Sequence, residues 1–409
     1  MLYFLFLFQL IPPTNSITSG INNAGLRLFH NVLEEGEVNA VFSPYCVGSG
    51  LHSLLAGAGG STHSQISQLL HPPHLPHLQL QKINSGLIRS TENCVLRITN
   101  KIFHHHKTKL ADDFENVSKQ HLDYALIAVN FEDENLSQII AELNSQVEKE
   151  TNGKISNLLS KDVITEETRM VLVNTLYFKA VWKYKFPKHR TTDREFYLGG
   201  HVTGGLSHVT GGLRHVTVPT MQLETHLRYL ETEEFQSAAL QFLDSEVEMV
   251  LYKPKHGLKA LLTSLLNHEE LESSYQEMSY ELVELNLPKF LVKSKYSLKE
   301  QLVTLGLSHL FDDRLADFSK MTSTGKRELT LSEVLHNTFI SVDEDGCEAA
   351  SATASVMRLT RSAPIGPEPI KLHLNVPFLY TLRDRASGVI LFVGTQSTFS
   401  GPVMDRSEL

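Results

Sequence analysis

Glu344-Asp345-Gly346-Cys347-Glu348-Ala349-Ala350-Ser351-Ala352-Thr353-Ala354-Ser355 decides the reading of this chain, because after the glycine nearly every residue is small and uncharged. In an extended segment successive side chains point to opposite faces. With Glu348 toward water, Cys347, Ala349, Ser351, Thr353 and Ser355 turn the other way together. Five small side chains can enter a packed interior without overfilling it. A resident buried strand would carry Val, Ile and Phe, whereas a segment that first lives exposed and later joins a sheet has to stay small and soluble. The plainer reading is a flexible Ala/Ser linker, and the flanks argue against it. Leu329 to Val342 is rich in apolar and β-branched residues, and Pro377 to Asp384 followed by Gly388 to Gly394 reads as a hairpin.

A strand ending in Glu-x-Gly, an alanine-rich hinge, a loop, a Pro-Phe strand and a strand ending Phe-Val-Gly together resemble the serpin family of serine protease inhibitors. Further matches run in the same order from residue 21 to 399. Leu26, Phe29, Val32 and Leu33 share a helical face before Val41-Phe42-Ser43-Pro44. Leu51 to Gly60 leads into Ser61-Thr62-His63-Ser64-Gln65-Ile66, and Leu136, Ile139, Ile140, Leu143 and Val147 mark an amphipathic helix ending at Thr151-Asn152-Gly153. Met170 to Trp182 is an almost unbroken apolar strand, as expected in a sheet covered on both faces. The resemblance implies an α+β fold of three β-sheets with about eight or nine helices and an exposed reactive-centre loop. It implies one serpin domain over residues 17–409, with the hinge and reactive loop at 346–376.

Composition agrees with a globular protein: 409 residues, 41% hydrophobic and 20% charged, are enough for a substantial core. The formal charge of −9 argues against a general nucleic-acid binder. Leu2 to Ile11 is an apolar run of signal-peptide length followed by Pro12, Pro13 and a small-residue site, so residues 1–16 read as a signal peptide. The run is too short to span a bilayer, and no later segment reads as a membrane span. The expectation is a secreted, extracellular monomer, with Asn116 and Asn135 as glycan acceptors in Asn-x-Ser sequons. The tail Arg406-Ser407-Glu408-Leu409 departs from a retrieval signal, and an endoplasmic-reticulum location is the alternative. Cys46, Cys94 and Cys347 form no metal spacing and no disulfide framework.

Residues 199–217 hold a tandem Gly-Gly-x-His-Val-Thr duplication, read as a lengthened hairpin between Phe196-Tyr197-Leu198 and Val218-Pro219. Its histidines 201, 208 and 215 lack an accompanying carboxylate or thiolate, so no metal is expected. His104-His105-His106 and the histidines at 71, 74 and 77 read as solvent loops.

No nucleophile elbow, zinc-protease helix or phosphate-binding glycine loop is present, so the chain reads as a non-enzyme without cofactor or metal. It offers instead a protease substrate, Val356-Met357-Arg358-Leu359-Thr360-Arg361-Ser362-Ala363-Pro364. Arginine suits an acid-bottomed specificity pocket, because its planar fork pairs bidentately with a carboxylate. The resemblance implies a suicide substrate: a serine protease attacks the loop and is trapped as a covalent complex when the hinge inserts into the central sheet. The usual spacing from the hinge glycine gives Thr360-Arg361 as the cleaved bond; side-chain chemistry favours Arg361-Ser362, which is adopted. From Gly346 to Arg361 the chain is long enough to span about 50 Å at ~3.3 Å per residue. The alternatives are a furin-like convertase as target, through Arg358-x-x-Arg361, and a non-inhibitory secretory-pathway chaperone or carrier. Against the latter, the hinge from Cys347 to Ser355 carries no proline and no bulky residue.

The resemblance further implies a breach cluster of Trp182, Lys289 and Glu344 at the top of the sheet, and a shutter of Ser43, Asn174 and His336 beneath the strands that part. Inserted hinge residues would be Gly346, Cys347, Glu348, Ala349, Ala350, Ser351, Ala352 and Thr353. Two departures stand out: Cys46 where the shutter usually has Ser, and Val376 before Pro377 where a polar residue is usual. Cys347, where the family usually has Thr or Ser, is expected to be exposed and oxidisable before insertion.

Overall fold

The computed structural model describes residues 16–34, 39–87, 91–198, 215–347 and 368–399. The chain opens with helix α1 (Ile17–Glu34), strand β1 (Ala40–Phe42) and helices α2 (Pro44–Gly57), α3 (Gly60–Leu70) and α4 (Pro76–Leu87). Then come β2 (Cys94–His105), α5 (Asp112–Val117), β3 (Ala125–Val129), α6 (Leu136–Glu150) and β4 (Met170–Val181). The middle holds β5 (Thr192–Tyr197), β6 (His215–Glu231), β7 (Phe235–Gln241), β8 (Val247–Pro254), α7 (Leu258–Leu265), α8 (His268–Gln276), β9 (Ser279–Pro288), β10 (Phe290–Ser297) and α9 (Lys299–Thr304). The last strands are β11 (Leu331–Val342), β12 (Gly346–Cys347), β13 (Ile370–His373), β14 (Phe378–Asp384) and β15 (Ile390–Gln396).

These strands form two hydrogen-bonded networks. One has six strands in the order β10-β11-β12-β4-β2-β3, with β11 also pairing β4 directly. The other has nine, β1-β15-β14-β8-β7-β6-β9-β13, with β5 paired to β6. Strand β6 pairs β5 and β9 along much of its length and β7 near its C-terminus, so the third sheet expected from the sequence is continuous with the second. Tyr197 pairs His215 at the open end of the β5–β6 hairpin, and the repeated insertion lies between them. His215, Val216 and Thr217 open β6, and residues 199–214 lie outside the described segments.

Strand β4 divides the interior, because its side chains alternate between two cores. Met170, Leu172, Leu176, Phe178 and Ala180 join the main core, while Val171 and Val173 join a second one with Ile140 and Val147 of α6 and Leu335 of β11. The helical stripe read between Leu136 and Val147 is therefore the face that covers this sheet. At its C-terminus α6 is tied down by Glu150, which accepts from Thr99 Oγ1 at 3.0 Å and pairs with Lys101 Nζ at 2.9 Å.

On the other side of β4 runs α2, nearly all of it buried. Pro44 opens that helix with a φ suited to a first turn, and the Ser43 hydroxyl caps it by accepting from the Cys46 N–H at 3.2 Å. Gly50 lets α2 approach closely: a Cβ there would sit 2.9 Å from Leu172 and 3.1 Å from Asn174 Oδ1. One expectation is corrected here. His104 and His105 are buried where β2 ends, not in a solvent loop, because β2 stays paired with β3 as far as His105.

Candidate functional site

The site is the gap between the upper halves of β4 and β11. Lower down, the two strands pair in parallel from Leu331 opposite Met170 to Thr338 opposite Leu176. Above that point they part, and the gap is entered from the top by β12. Gly346 pairs with Val181, and Cys347 pairs with Ala180 on one side and Val342 on the other, antiparallel to both. Gly346 is held so closely that a Cβ would overlap the Ala180 carbonyl oxygen.

Cys347 is therefore only 1% exposed and packs into the main core. Its inward orientation agrees with the alternation read from the sequence. Its burial corrects the expectation of an exposed, oxidisable thiol: hinge entry is a tertiary event that no local pattern signals. Cys46 and Cys94 are buried as well, and burial pushes the Cys46 thiol up to about 12. The remaining hinge positions Glu348, Ala349, Ala350, Ser351, Ala352 and Thr353, and the reactive-bond residues Thr360, Arg361 and Ser362, lie outside the described residues.

At the top of the gap, the residues expected at the breach all contact the turn 343–345. Glu344 Oε2 lies 3.0 Å from Lys289 Nζ, and its Oε1 accepts from Thr191 Oγ1 at 2.8 Å. Burial alone would raise the Glu344 carboxyl; the backbone, Thr191 and Lys289 outweigh it and hold the group below the usual range. The Trp182 indole N–H donates to the Asp343 carbonyl at 2.8 Å, and its ring stacks on Phe242 at 4.5 Å. Asp343 closes the turn by accepting from the N–H groups of Asp345 and Gly346 at 2.9 and 3.1 Å.

Below the gap, Ser43 N–H donates to His336 Nε2 at 2.9 Å, and His336 lies opposite Asn174 in the β4–β11 register. Burial drives the imidazole down to about 3, so it is neutral, with Nε2 as acceptor. Asn174 Nδ2 donates to Asn100 Oδ1 at 2.7 Å and to the Tyr124 hydroxyl at 2.6 Å. Asn100, Tyr124, Thr191 and Asp343 were not singled out from the sequence. Asn100 faces Asn174 across the β2–β4 ladder, and Tyr124 and Thr191 come from connections remote in sequence, so nothing local marks these three; Asp343 adjoins Glu344 in the same turn. Asn116, in α5, and Asn135, ahead of α6, are both exposed.

Among the described residues no group of His, Cys, Asp and Glu is arranged to hold a metal ion, and no helix is long and apolar enough to cross a membrane. His215, the one described histidine of the repeat, lies 3.8 Å from Glu195.

The sheet thus has a gap between β4 and β11 with Gly346 and Cys347 paired into its mouth. Residues 19–398 match the family model described as Serpin (serine protease inhibitor). The chain belongs to the serpin family. Serpin B10 of Bos taurus is 30% identical over 412 residues, covering 92% of this chain and 98% of the relative. Leukocyte elastase inhibitor of Xenopus tropicalis is 30% identical over 397 residues, covering 94% and 99%. Among solved structures, native protease nexin-1 with heparin superposes with a TM-score of 0.80 at 26% identity, covering 93% of this serpin and 99% of that chain. Serpins are protease inhibitors rather than catalysts, and they form covalent complexes with their target proteases. The kinship corrects one reading: these relatives are B-type serpins, which are intracellular, so the expectation of a secreted protein is overturned. The apolar residues 1–15 that suggested secretion, and the tail 406–409, lie outside the described residues.

Proposed function

We propose that this serpin is a suicide-substrate inhibitor of arginine-specific, trypsin-like serine proteases, with Arg361-Ser362 as the reactive bond. The observation that carries the reading is the register of β12. An inserted hinge that kept this register would bring Ala349 opposite Phe178 and Ile340, Ser351 opposite Leu176 and Thr338, and Thr353 between Asn174 and His336. Every second hinge residue then faces the main core and is small. Thr353 would bring a hydroxyl to the polar cluster at the level where the strands must part, beside the buried Asn174 amide and His336 imidazole.

In this mechanism the protease serine attacks the Arg361 carbonyl carbon and the C–N bond to Ser362 breaks. The protease's general acid protonates the departing amine, and an ester to Arg361 remains. Hinge insertion breaks the parallel β4–β11 ladder and replaces it with two antiparallel ones. Each added backbone hydrogen bond contributes roughly 1 kcal/mol net. The breach ion pair and the shutter bonds hold the sheet closed until cleavage frees the loop.

The test is incubation with trypsin, followed by denaturing electrophoresis and sequencing of the released peptide. A complex stable to denaturant and a peptide beginning at Ser362 are expected; rapid cleavage without a complex would overturn the inhibitor reading. A furin-like convertase run in parallel decides whether Arg358 also contributes to target choice.

A further inference from the structure

The turn that leads into the hinge carries a charge cluster to which nothing above assigns a role. Asp345 stands between the breach carboxylate Glu344 and Gly346. Its Oδ1 lies 3.2 Å from Lys185 Nζ and its Oδ2 lies 2.9 Å from Lys188 Nζ, so each carboxylate oxygen has its own ammonium. Both lysines belong to the β4–β5 connection. The same connection grips the backbone of the turn: Trp182 N–H donates to the Asp345 carbonyl at 2.9 Å, and Phe186 N–H to the Glu344 carbonyl at 3.1 Å. With the indole bond to the Asp343 carbonyl, three consecutive turn residues are tied to one stretch of chain.

The cluster is neither fully wet nor fully dry. The side chains of Asp345, Lys185 and Lys188 are 21%, 29% and 72% exposed. Burial works against the Asp345 charge, yet the two ammonium groups outweigh it and hold the carboxyl below its usual range. Asp345 in turn raises Lys188. Withdrawing β12 from the gap would move the Asp345 backbone away from both lysines.

We propose that Lys185, Asp345 and Lys188 form a positioning clamp that keeps the first two hinge residues threaded between β4 and β11. The clamp thereby biases a cleaved loop toward insertion rather than release. The proposal rests on the inhibitor reading for its kinetic part only. Once the ester to Arg361 forms, insertion races hydrolysis, and a hinge already paired on both sides starts ahead because its turn needs no further closure. Asp345 acts through the hinge backbone, so it positions the loop and does not touch the reacting atoms.

Three variants test this: Asp345→Asn, Asp345→Lys and the exchanged pair Asp345→Lys with Lys188→Asp. Two readouts are taken on the intact protein. The first is the emission of Trp182, the sole tryptophan of the chain, whose indole bonds the clamped turn. The second is the number of inhibitor molecules consumed per trypsin molecule trapped. Partly exposed pairs of this kind shift such ratios about two- to fivefold. A rise of that size in Asp345→Asn and Asp345→Lys, an altered Trp182 emission, and a return toward wild type in the exchanged pair are expected. Wild-type emission and stoichiometry in Asp345→Asn would overturn the clamp. If Asp345→Lys fails to fold, the near-isosteric Asn variant still decides. If the wild type traps no protease at all, the inhibitor reading falls, while the emission of the uncleaved variants still decides whether the clamp exists.

Discussion

His336 accepts the Ser43 N–H through Nε2, which requires a neutral ring, and complete burial keeps it neutral down to about pH 3. The sign of its contribution follows by linkage. An unfolded histidine titrates near 6.5, so between about pH 6.5 and 3 the unfolded chain binds the extra proton, and stability falls as pH falls through that window. From pH 7 to 4.5 this one residue removes up to about 3 kcal/mol. His52, lowered to about 4 by burial, acts in the same direction. In urea unfolding at the two pH values, His336→Gln is expected to lose less stability on acidification than the wild type; equal losses would place the acid sensitivity elsewhere. At this scale the sequence revealed His336, Ser43 and Asn174 because short motifs surround them. It was silent on Asn100 and Tyr124, which reach Asn174 from 74 and 50 residues away.

Strand β4 was the most legible element, since an apolar run at that length already says that both faces are covered, and both cores are found against it. Helix α6 was legible from its stripe, though not the Glu150 contacts that seat it on β2. The hinge was legible in its alternation and illegible in its position, because Cys347 lies in the sheet through pairing with two strands that are remote in sequence. That pairing sharpens one expectation. Ala349, two residues past Cys347, would meet Phe178 and Ile340, both buried. Ala349→Arg would place an unpaired charge there, at a cost of several kcal/mol. The variant is expected to be cleaved by trypsin at an undiminished rate while forming no stable complex, as read by electrophoresis; retained complex formation would rule out the register.

At the scale of the whole molecule, the six-stranded sheet shows fewer strand pairings among the described residues than β4 and β11 can make. The parallel β4–β11 ladder closes the lower half of the gap, and above it the described residues threaded between the strands are Gly346 and Cys347. Filling the gap with the rest of the hinge adds a strand of about ten residues, worth on the order of 10 kcal/mol net. Nicking the loop with a protease that is not trapped should therefore raise the melting temperature by at least about 10 °C in calorimetry. An unchanged transition would mean that the loop stays out. The β5–β6 hairpin bears on the same architecture differently. Its ladder is complete from Thr192 opposite Thr220 to Tyr197 opposite His215, with the last three residues of the repeat, His215, Val216 and Thr217, paired in it. Chain can be added or removed beyond the Tyr197–His215 rung without disturbing a single described strand pair. The connection between residues 198 and 215 is thus a natural grafting port for a fluorophore, an affinity tag or a foreign recognition loop, set apart in the chain from the hinge.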